Sequence, residues 1–170
     1  FKDKWNIISL PLIVNNADKN ILFSTATSNA YYYDSNQGYL TEKILKPGKG
    51  YWLKFNGTQN VTINGSIITN LTINVSQGWN MIGMISEPIN VNQIISEPQN
   101  IITSQYFTYN NGYIIANVLQ PSKGYWVKVN QSGKLILQNN QQQPLNNINL
   151  NEFNNINIKD TSNAATLYFG

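Results

Sequence analysis

Short runs of apolar and polar residues alternate along the whole chain, and the elements they predict are β-strands throughout. Residues 4–14 are rich in Ile, Leu and Val, with Trp5 near their start. Residues 31–33 lead through Asn36-Gln37-Gly38 into a strand from Tyr39, which reads as a hairpin. A second hairpin is predicted where residues 106–109 turn at Asn110-Asn111-Gly112 and resume at Tyr113-Ile114-Ile115. Asn-Gly is a strong hairpin signal because both turn residues must tolerate φ > 0. Asn56-Gly57 and Asn64-Gly65 supply two more such turns, and the latter would join Val61-Thr62-Ile63 to Ser66-Ile67-Ile68. Leu71-Thr72-Ile73-Asn74-Val75 alternates cleanly. Short helices are predicted at 17–23, capped by Asn15 or Asn16, and at 91–95, capped by Asn90 and ended by Glu97-Pro98. After an amide-rich linker at 139–147, Ile148-Asn149-Leu150 and Ile156-Asn157-Ile158 alternate again. Asp160-Thr161-Ser162-Asn163 reads as a turn, so Thr166-Leu167-Tyr168-Phe169 would close a terminal hairpin against 156–159.

Much of this pattern is written twice, 74 positions apart. Trp5-Asn6 returns as Trp79-Asn80, and Gly38-Tyr39 returns as Gly112-Tyr113. Leu45-Lys46-Pro47-Gly48-Lys49-Gly50-Tyr51-Trp52-Leu53-Lys54 returns as Leu119-Gln120-Pro121-Ser122-Lys123-Gly124-Tyr125-Trp126-Val127-Lys128. Val61 and Ile63 return as Leu135 and Leu137. Because the spacing is constant at these landmarks, the two copies are expected to match without insertion or deletion. A repeat of this length is a whole structural unit. The expected organisation is β repeat 1 at 1–74, β repeat 2 at 75–138, a linker at 139–147 and a C-terminal strand segment at 148–170. The expected fold is all-β: two pseudo-symmetric antiparallel repeats, sandwich or barrel-like, plus a C-terminal β-hairpin.

Composition narrows the chemistry. Only 11% of residues are charged, while 29 of 170 are Asn. A surface wetted by neutral amides opposes self-association weakly, because little like-charge repulsion builds up. There is no Cys, no His and no Arg, and all eleven basic residues are Lys. Triad chemistry therefore lacks its base, and thiolate metal sites lack their ligands. Without Arg the bidentate reader of phosphate and guanine is missing, so nucleic acid is not an expected partner. No apolar run is long enough for a membrane span, and no cofactor is expected. No signal-peptide pattern is visible, and the chain is expected to be processed or a segment of something longer. An initial Phe suggests a type IV pilin, but Lys2-Asp3-Lys4 stands where a pilin needs an apolar helix.

Several residues are candidates for sites. Along the Gly-Tyr-Trp strands, Tyr51, Leu53 and Phe55 share one face, as do Tyr125, Val127 and Val129, and that face reads as core. Trp52 with Lys54, and Trp126 with Lys128, share the opposite face. They are either sugar-stacking platforms or interface aromatics overlain by the Lys stems. Pro47-Gly48-Lys49-Gly50 lacks the spacing and following helix of a phosphate loop and reads as a tight turn into a strand. Asp34-Ser35-Asn36-Gln37-Gly38 lacks the closing Glu of a calcium loop and reads as a hairpin turn. The eight carboxylates do not pair by the repeat, which argues against a two-carboxylate glycosidase. Asn56, Asn60, Asn64, Asn70, Asn74 and Asn130 head Asn-x-Ser/Thr sequons and are candidate glycosylation acceptors.

The Trp-Asn, Gly-Tyr and Leu-x-Pro-Gly-Lys-Gly-Tyr-Trp-(Leu/Val)-Lys elements together resemble a repeated β module of large secreted and cell-surface proteins of the Bacteroidetes–Ignavibacteria group. The ending Ile156-Asn157-Ile158-Lys159-Asp160 through Thr166-Leu167-Tyr168-Phe169-Gly170 resembles the segment that follows those modules. The resemblance implies an extracellular, non-catalytic module. The expected function is thus a self-assembling structural module, in a filament, sheath or surface-protein stalk, with copies of itself or other surface proteins as partners. The alternative is a carbohydrate-binding or adhesion module of a secreted enzyme, with polysaccharide as partner.

Overall fold

The computed structural model of the chain describes residues 1–139 and, beyond them, the strands Asn154–Lys159 and Ala164–Phe169. The expected linker past Asn139, the expected strand at 148–150 and the expected turn at 160–163 lie outside the described residues. The architecture is all-β, with 50% of residues in strands and 5% in helices, in several antiparallel sheets with no closed barrel among the described residues. Two compact units are present, Phe1–Asn139 and Asn140–Gly170. Both copies of the repeated sequence therefore lie in the first unit.

The first half comprises β1 (Lys4–Ser9), β2 (Leu12–Ile13), α1 (Lys19–Leu22), β3 (Ala30–Asp34), β4 (Gly38–Glu42), β5 (Gly50–Phe55) and β6 (Ser66–Ile67). The second comprises β7 (Asn70–Val75), β8 (Gly78–Ile82), β9 (Ile89–Asn90), a 3-10 turn (Val91–Gln93), β10 (Ile95–Glu97), β11 (Tyr106–Tyr109), β12 (Tyr113–Ala116), β13 (Val118–Leu119), β14 (Tyr125–Val129) and β15 (Gly133–Gln138). In the second unit β16 (Asn154–Lys159) pairs with β17 (Ala164–Phe169) as an antiparallel hairpin. Each half contains a four-stranded antiparallel sheet, ordered β1-β5-β3-β4 in one and β8-β14-β11-β12 in the other. Trp5 faces Lys54 across the first sheet, and Trp79 faces Lys128 across the second.

The inward faces match the expected alternation. Tyr51, Leu53 and Phe55 are buried in the first core with Ile8, Leu10 and Phe23. Tyr125, Val127 and Val129 are buried in the second with Ile82, Met84 and Leu135. Each such side chain contributes roughly 1.5–3 kcal/mol by leaving water.

The two halves correspond strand by strand, but their spacing is not constant. Asp18 lies opposite Ile44 and Asn90 opposite Val118, so the caps of the two short helices are 72 positions apart. Tyr31 lies opposite Trp52 and Phe107 opposite Trp126, which puts the next strands 76 apart. The hairpin closed by Tyr33 and Tyr39 holds five residues, whereas that closed by Tyr109 and Tyr113 holds three. The differences cancel, which is why the landmarks on either side return to a spacing of 74. The added residues after Asn90 accommodate β10.

That addition explains a failed expectation. Val61-Thr62-Ile63 and Ser66-Ile67-Ile68 do not form a hairpin. Residues 58–65 carry no strand, and β6 pairs instead with β2. At the matching place in the second half, β15 is a full strand because β10 and β7 flank it on both sides. Among the described residues, no strand flanks 60–64 in either of these ways. The helices are also shorter than expected, because the chain leaves helical geometry at Phe23 and enters β10 at Ile95. Asp18, not Asn15 or Asn16, caps the first, its carboxylate accepting the Asn20 N–H at 2.8 Å.

The halves meet at an approximate twofold relation. The Ser9 N–H donates to the Ser122 carbonyl at 3.0 Å, and the Gly83 N–H donates to the Gly48 carbonyl at 2.8 Å. Ile8 bridges Lys123 and Ile82 bridges Lys49 in the same reciprocal way. The backbones come so close that a Cβ on Gly124 would lie 2.5 Å from Ile7 Cγ2 and 2.9 Å from the Ile8 carbonyl oxygen. Gly124→Ala should therefore cost about 1–3 kcal/mol in urea unfolding, through overpacking against backbone. Gly38→Asn, at a turn with φ +80 and open space around it, should change stability by well under half of that. Equal losses at the two positions would contradict the packing account.

Candidate functional site

The repeated Leu-x-Pro-x-Lys-Gly-Tyr motif is a self-bracing turn. Leu45 and Leu119 are buried, anchoring its start. Gly48 and Ser122 take the left-handed conformation at φ 83 and 64. The Tyr51 hydroxyl accepts the Lys46 N–H at 2.9 Å, and the Tyr125 hydroxyl accepts the Gln120 N–H at 2.7 Å. Burial pushes the pKa of both phenols up. In the first half the Tyr51 hydroxyl also donates to Glu42 at 2.7 Å. Lys46 and Lys49 pair with the same carboxylate at 2.9 and 3.1 Å. Burial raises the Glu42 pKa, but hydrogen bonds from Lys46, Tyr51 and Lys49 outweigh it and hold the carboxyl below its usual range. Lys49 is thus committed to Glu42, and its ammonium also lies 3.9 Å from the Tyr32 ring centre. Asp34 closes its own hairpin by accepting the Asn36 and Gln37 N–H groups at 2.9 and 3.0 Å.

The outward faces of the two large sheets carry the aromatic residues, and these faces pack on each other. Trp126 is 8% exposed and joins Ile7 and Met81 in a cluster with Trp52, Tyr33, Phe107 and Tyr109 at its margin. The ring contacts are reciprocal. Tyr33 of the first half meets Trp126 of the second edge-on at 5.0 Å, and Tyr109 meets Trp52 edge-on at 4.9 Å. Within each half Trp5 stands at 89° to Trp52, and Trp79 at 88° to Trp126. Such edge-to-face pairs contribute about 0.5–1.5 kcal/mol each beyond area burial.

Two matching aromatic clefts result. One, of about 410 Å³, is lined by Trp5, Tyr31, Tyr39, Trp52 and Tyr109. The other, of about 400 Å³, is lined by Tyr33, Trp79, Phe107, Tyr113 and Trp126. Each is closed by a tyrosine from the opposite half. Trp5 and Trp79 remain 40% and 39% exposed at the mouths, beside exposed Tyr39 and Tyr113. Burial raises the Tyr113 pKa, with the Tyr39 phenol adding to it. The Trp126 indole N–H is a buried donor without a hydrogen-bond partner among the described residues. Among the described residues no charged side chain lines either cleft, so the walls suit flat apolar faces more than ions.

Of the predicted aromatics, Trp52 and Trp126 belong to one cluster at the junction between halves, each meeting a tyrosine of the opposite half. Lys54 and Lys128 are exposed, facing Trp5 and Trp79 across their sheets. The cation–π contact found among the described residues is Lys49 with Tyr32, not a Trp–Lys pair. The six sequon residues Asn56, Asn60, Asn64, Asn70, Asn74 and Asn130 are all exposed. Sequence reasoning missed Trp5, Trp79, Tyr33 and Tyr109 as parts of the same feature. Strand alternation places Tyr33 on a face with Tyr31, but which sheet covers that face is fixed only by the chain crossing. Comparison with family models, with curated proteins and with solved structures finds no match to the chain.

Trp126→Ala should destabilise by about 3–5 kcal/mol and Trp5→Ala by clearly less, since only the former empties a sealed contact. Chemical denaturation of both variants checks the order. Glu42 has a folded pKa below its unfolded value, so its stabilisation is present above the unfolded pKa and is lost as pH falls through the folded one. Glu42→Gln should therefore flatten the loss of stability on acidification below the ordinary carboxylate range near 4.5 and cost about 1–3 kcal/mol at neutral pH. An unchanged acid profile would refute that role.

Proposed function

We propose that the chain is a non-catalytic structural module of an extracellular or cell-surface assembly, joining copies of itself or other surface proteins through open β-strand edges. The observation that carries this reading is the edge strand β12. It is the outermost strand of its sheet, and its Tyr113, Ile114 and Ile115 are 58%, 46% and 55% exposed. Natural edges are usually blunted with Lys, Pro or bulges, and β12 has no charged residue or proline. A strand added there gains main-chain hydrogen bonds and covers apolar surface at once. The low charge of the chain, the exposed sequons and the resemblance of its motif to surface-protein modules support the same reading. The absence of His and Cys supports a non-catalytic role.

The clefts favour a second reading, a carbohydrate-binding or adhesion module, because an exposed indole stands at the mouth of each. Under that reading a polysaccharide would change indole fluorescence, and Trp5→Ala with Trp79→Ala would abolish the change.

Under the first reading, concentrated chain forms filaments or other ordered polymers in negative-stain electron micrographs. The Ile114→Lys/Ile115→Lys double variant should stay folded yet assemble much less, as followed by light scattering. A wild-type chain that remains monomeric at high concentration would defeat the assembly reading.

A further inference from the structure

Each large sheet carries a tryptophan and a lysine directly opposed beside its cleft. Trp5 on β1 faces Lys54 on β5, and Trp79 on β8 faces Lys128 on β14, so each pair shares one face of its sheet. The Lys54 N–H donates to the Ser28 hydroxyl at 2.9 Å and its carbonyl accepts the Thr27 N–H at 2.8 Å, so its peptide groups turn away from β1. Lys128 does the same with Ser104 and Thr103, at 2.8 and 2.9 Å. Each Trp–Lys pair is therefore a non-hydrogen-bonded pair, the kind whose Cα atoms are about 4.5 Å apart and whose side chains run closer together. Both lysines are exposed, and among the described residues neither ammonium has an ion-pair partner. Since Trp5 and Trp79 stand at the mouths, each cleft has an uncommitted positive charge at its rim.

The walls are rings set at steep angles to one another. Trp52 stands at 89° to Trp5 and at 71° to Tyr109. Trp126 stands at 88° to Trp79 and at 67° to Tyr33. Among the described residues no amide or carboxylate side chain lines either cleft. A pyranose would bring hydroxyls that find only phenol and indole groups there. A hydrated ion or a primary ammonium would lose hydrogen bonds to water without replacement. A quaternary ammonium has no N–H to satisfy. It spreads its charge over methyl groups, offers an apolar surface, and is attracted by the negative faces of several rings at once. The lysine at the rim would repel a bare cation but attracts an anion joined to it. We propose that each cleft binds a zwitterion of the phosphocholine class, with the trimethylammonium group among the rings and the phosphate at Lys54 or Lys128. Each of these parts recurs in both halves, which gives two sites per chain. The inference stands apart from the assembly reading, and it competes with a polysaccharide for the same clefts.

Calorimetric titration of the full chain with phosphocholine tests this. Saturable binding at two sites per chain is expected. Phosphoethanolamine carries the same phosphate on an ammonium without methyl groups, and it should bind about tenfold more weakly or worse. Choline lacks the phosphate and should also bind more weakly than phosphocholine, and Lys54→Gln with Lys128→Gln should remove that difference. Trp5→Ala should leave one site, and adding Trp79→Ala should leave none. Both indoles are partly exposed, so urea unfolding should show these variants folded. Trp5→Phe with Trp79→Phe keeps a ring at each mouth and should keep both sites at reduced affinity. Sedimentation with phosphatidylcholine vesicles separates the sources. Binding to vesicles and to phosphocholine supports a lipid headgroup as the ligand, and binding to phosphocholine alone supports a soluble or glycan-linked one. Absence of phosphocholine binding, equal binding of phosphoethanolamine, or binding that survives loss of both tryptophans would overturn the proposal. A neutral glucan that binds where phosphocholine does not would overturn it in favour of the polysaccharide reading. Filament formation is measured separately and is unaffected by any of these results.

Discussion

Three backbone hydrogen bonds, from the Ser9 N–H to Ser122, from the Gly83 N–H to Gly48 and from the Gly124 N–H to Ile7, hold together the point where the halves cross, and the rest of the first unit follows from that approach. Main-chain contact at this range leaves no room for side chains, so Gly50, Gly83 and Gly124 sit where a Cβ would strike backbone atoms. Once the strands cross there, the outer face of each large sheet must face the other. Tyr33 is then carried to Trp126 and Tyr109 to Trp52, and the clefts open where the two faces diverge. Removing one ring disturbs one packing contact. Separating the crossing strands would expose the aromatic faces of both sheets.

The division between what can be read from the chain and what cannot is physical. Alternation along Tyr51-Trp52-Leu53-Lys54-Phe55 assigns each residue to a face without reference to anything distant. The hairpins at Gly38 and Gly112 are likewise local, since turn and flanking strands lie within a dozen residues. The C-terminal hairpin was legible for the same reason, although the strands run longer than expected and 156–159 pair with 164–167. Val61-Thr62-Ile63 looked as strand-like as Leu135-Ile136-Leu137, yet only the latter is a strand. Its state depends on neighbours supplied from elsewhere, β10 on one side and β7 on the other, and four residues added after Asn90 help to provide one of them. The constant spacing of the landmarks concealed that addition, because shorter segments on either side cancelled it.

The candidate site was half legible. Trp52 and Trp126 were identified by their placement opposite the core face. Their partners could not be, because Tyr109 closes a cleft belonging mostly to the first half, and Tyr33 closes one belonging mostly to the second. Such an exchange is a property of the crossing, not of any short segment. The Pro-Gly-Lys-Gly turn shows the reverse case. Its residues invite a ligand-binding interpretation, but Lys49 is occupied by Glu42, and the tyrosine hydroxyl returns to the backbone of the same turn.

The exchange of tyrosines between the halves ties the two clefts to one another. Tyr109 completes the cleft lined mainly by the first half, and Tyr33 completes the one lined mainly by the second. A shift of one large sheet against the other would therefore reshape both clefts at once, so the pair behaves as one mechanical unit.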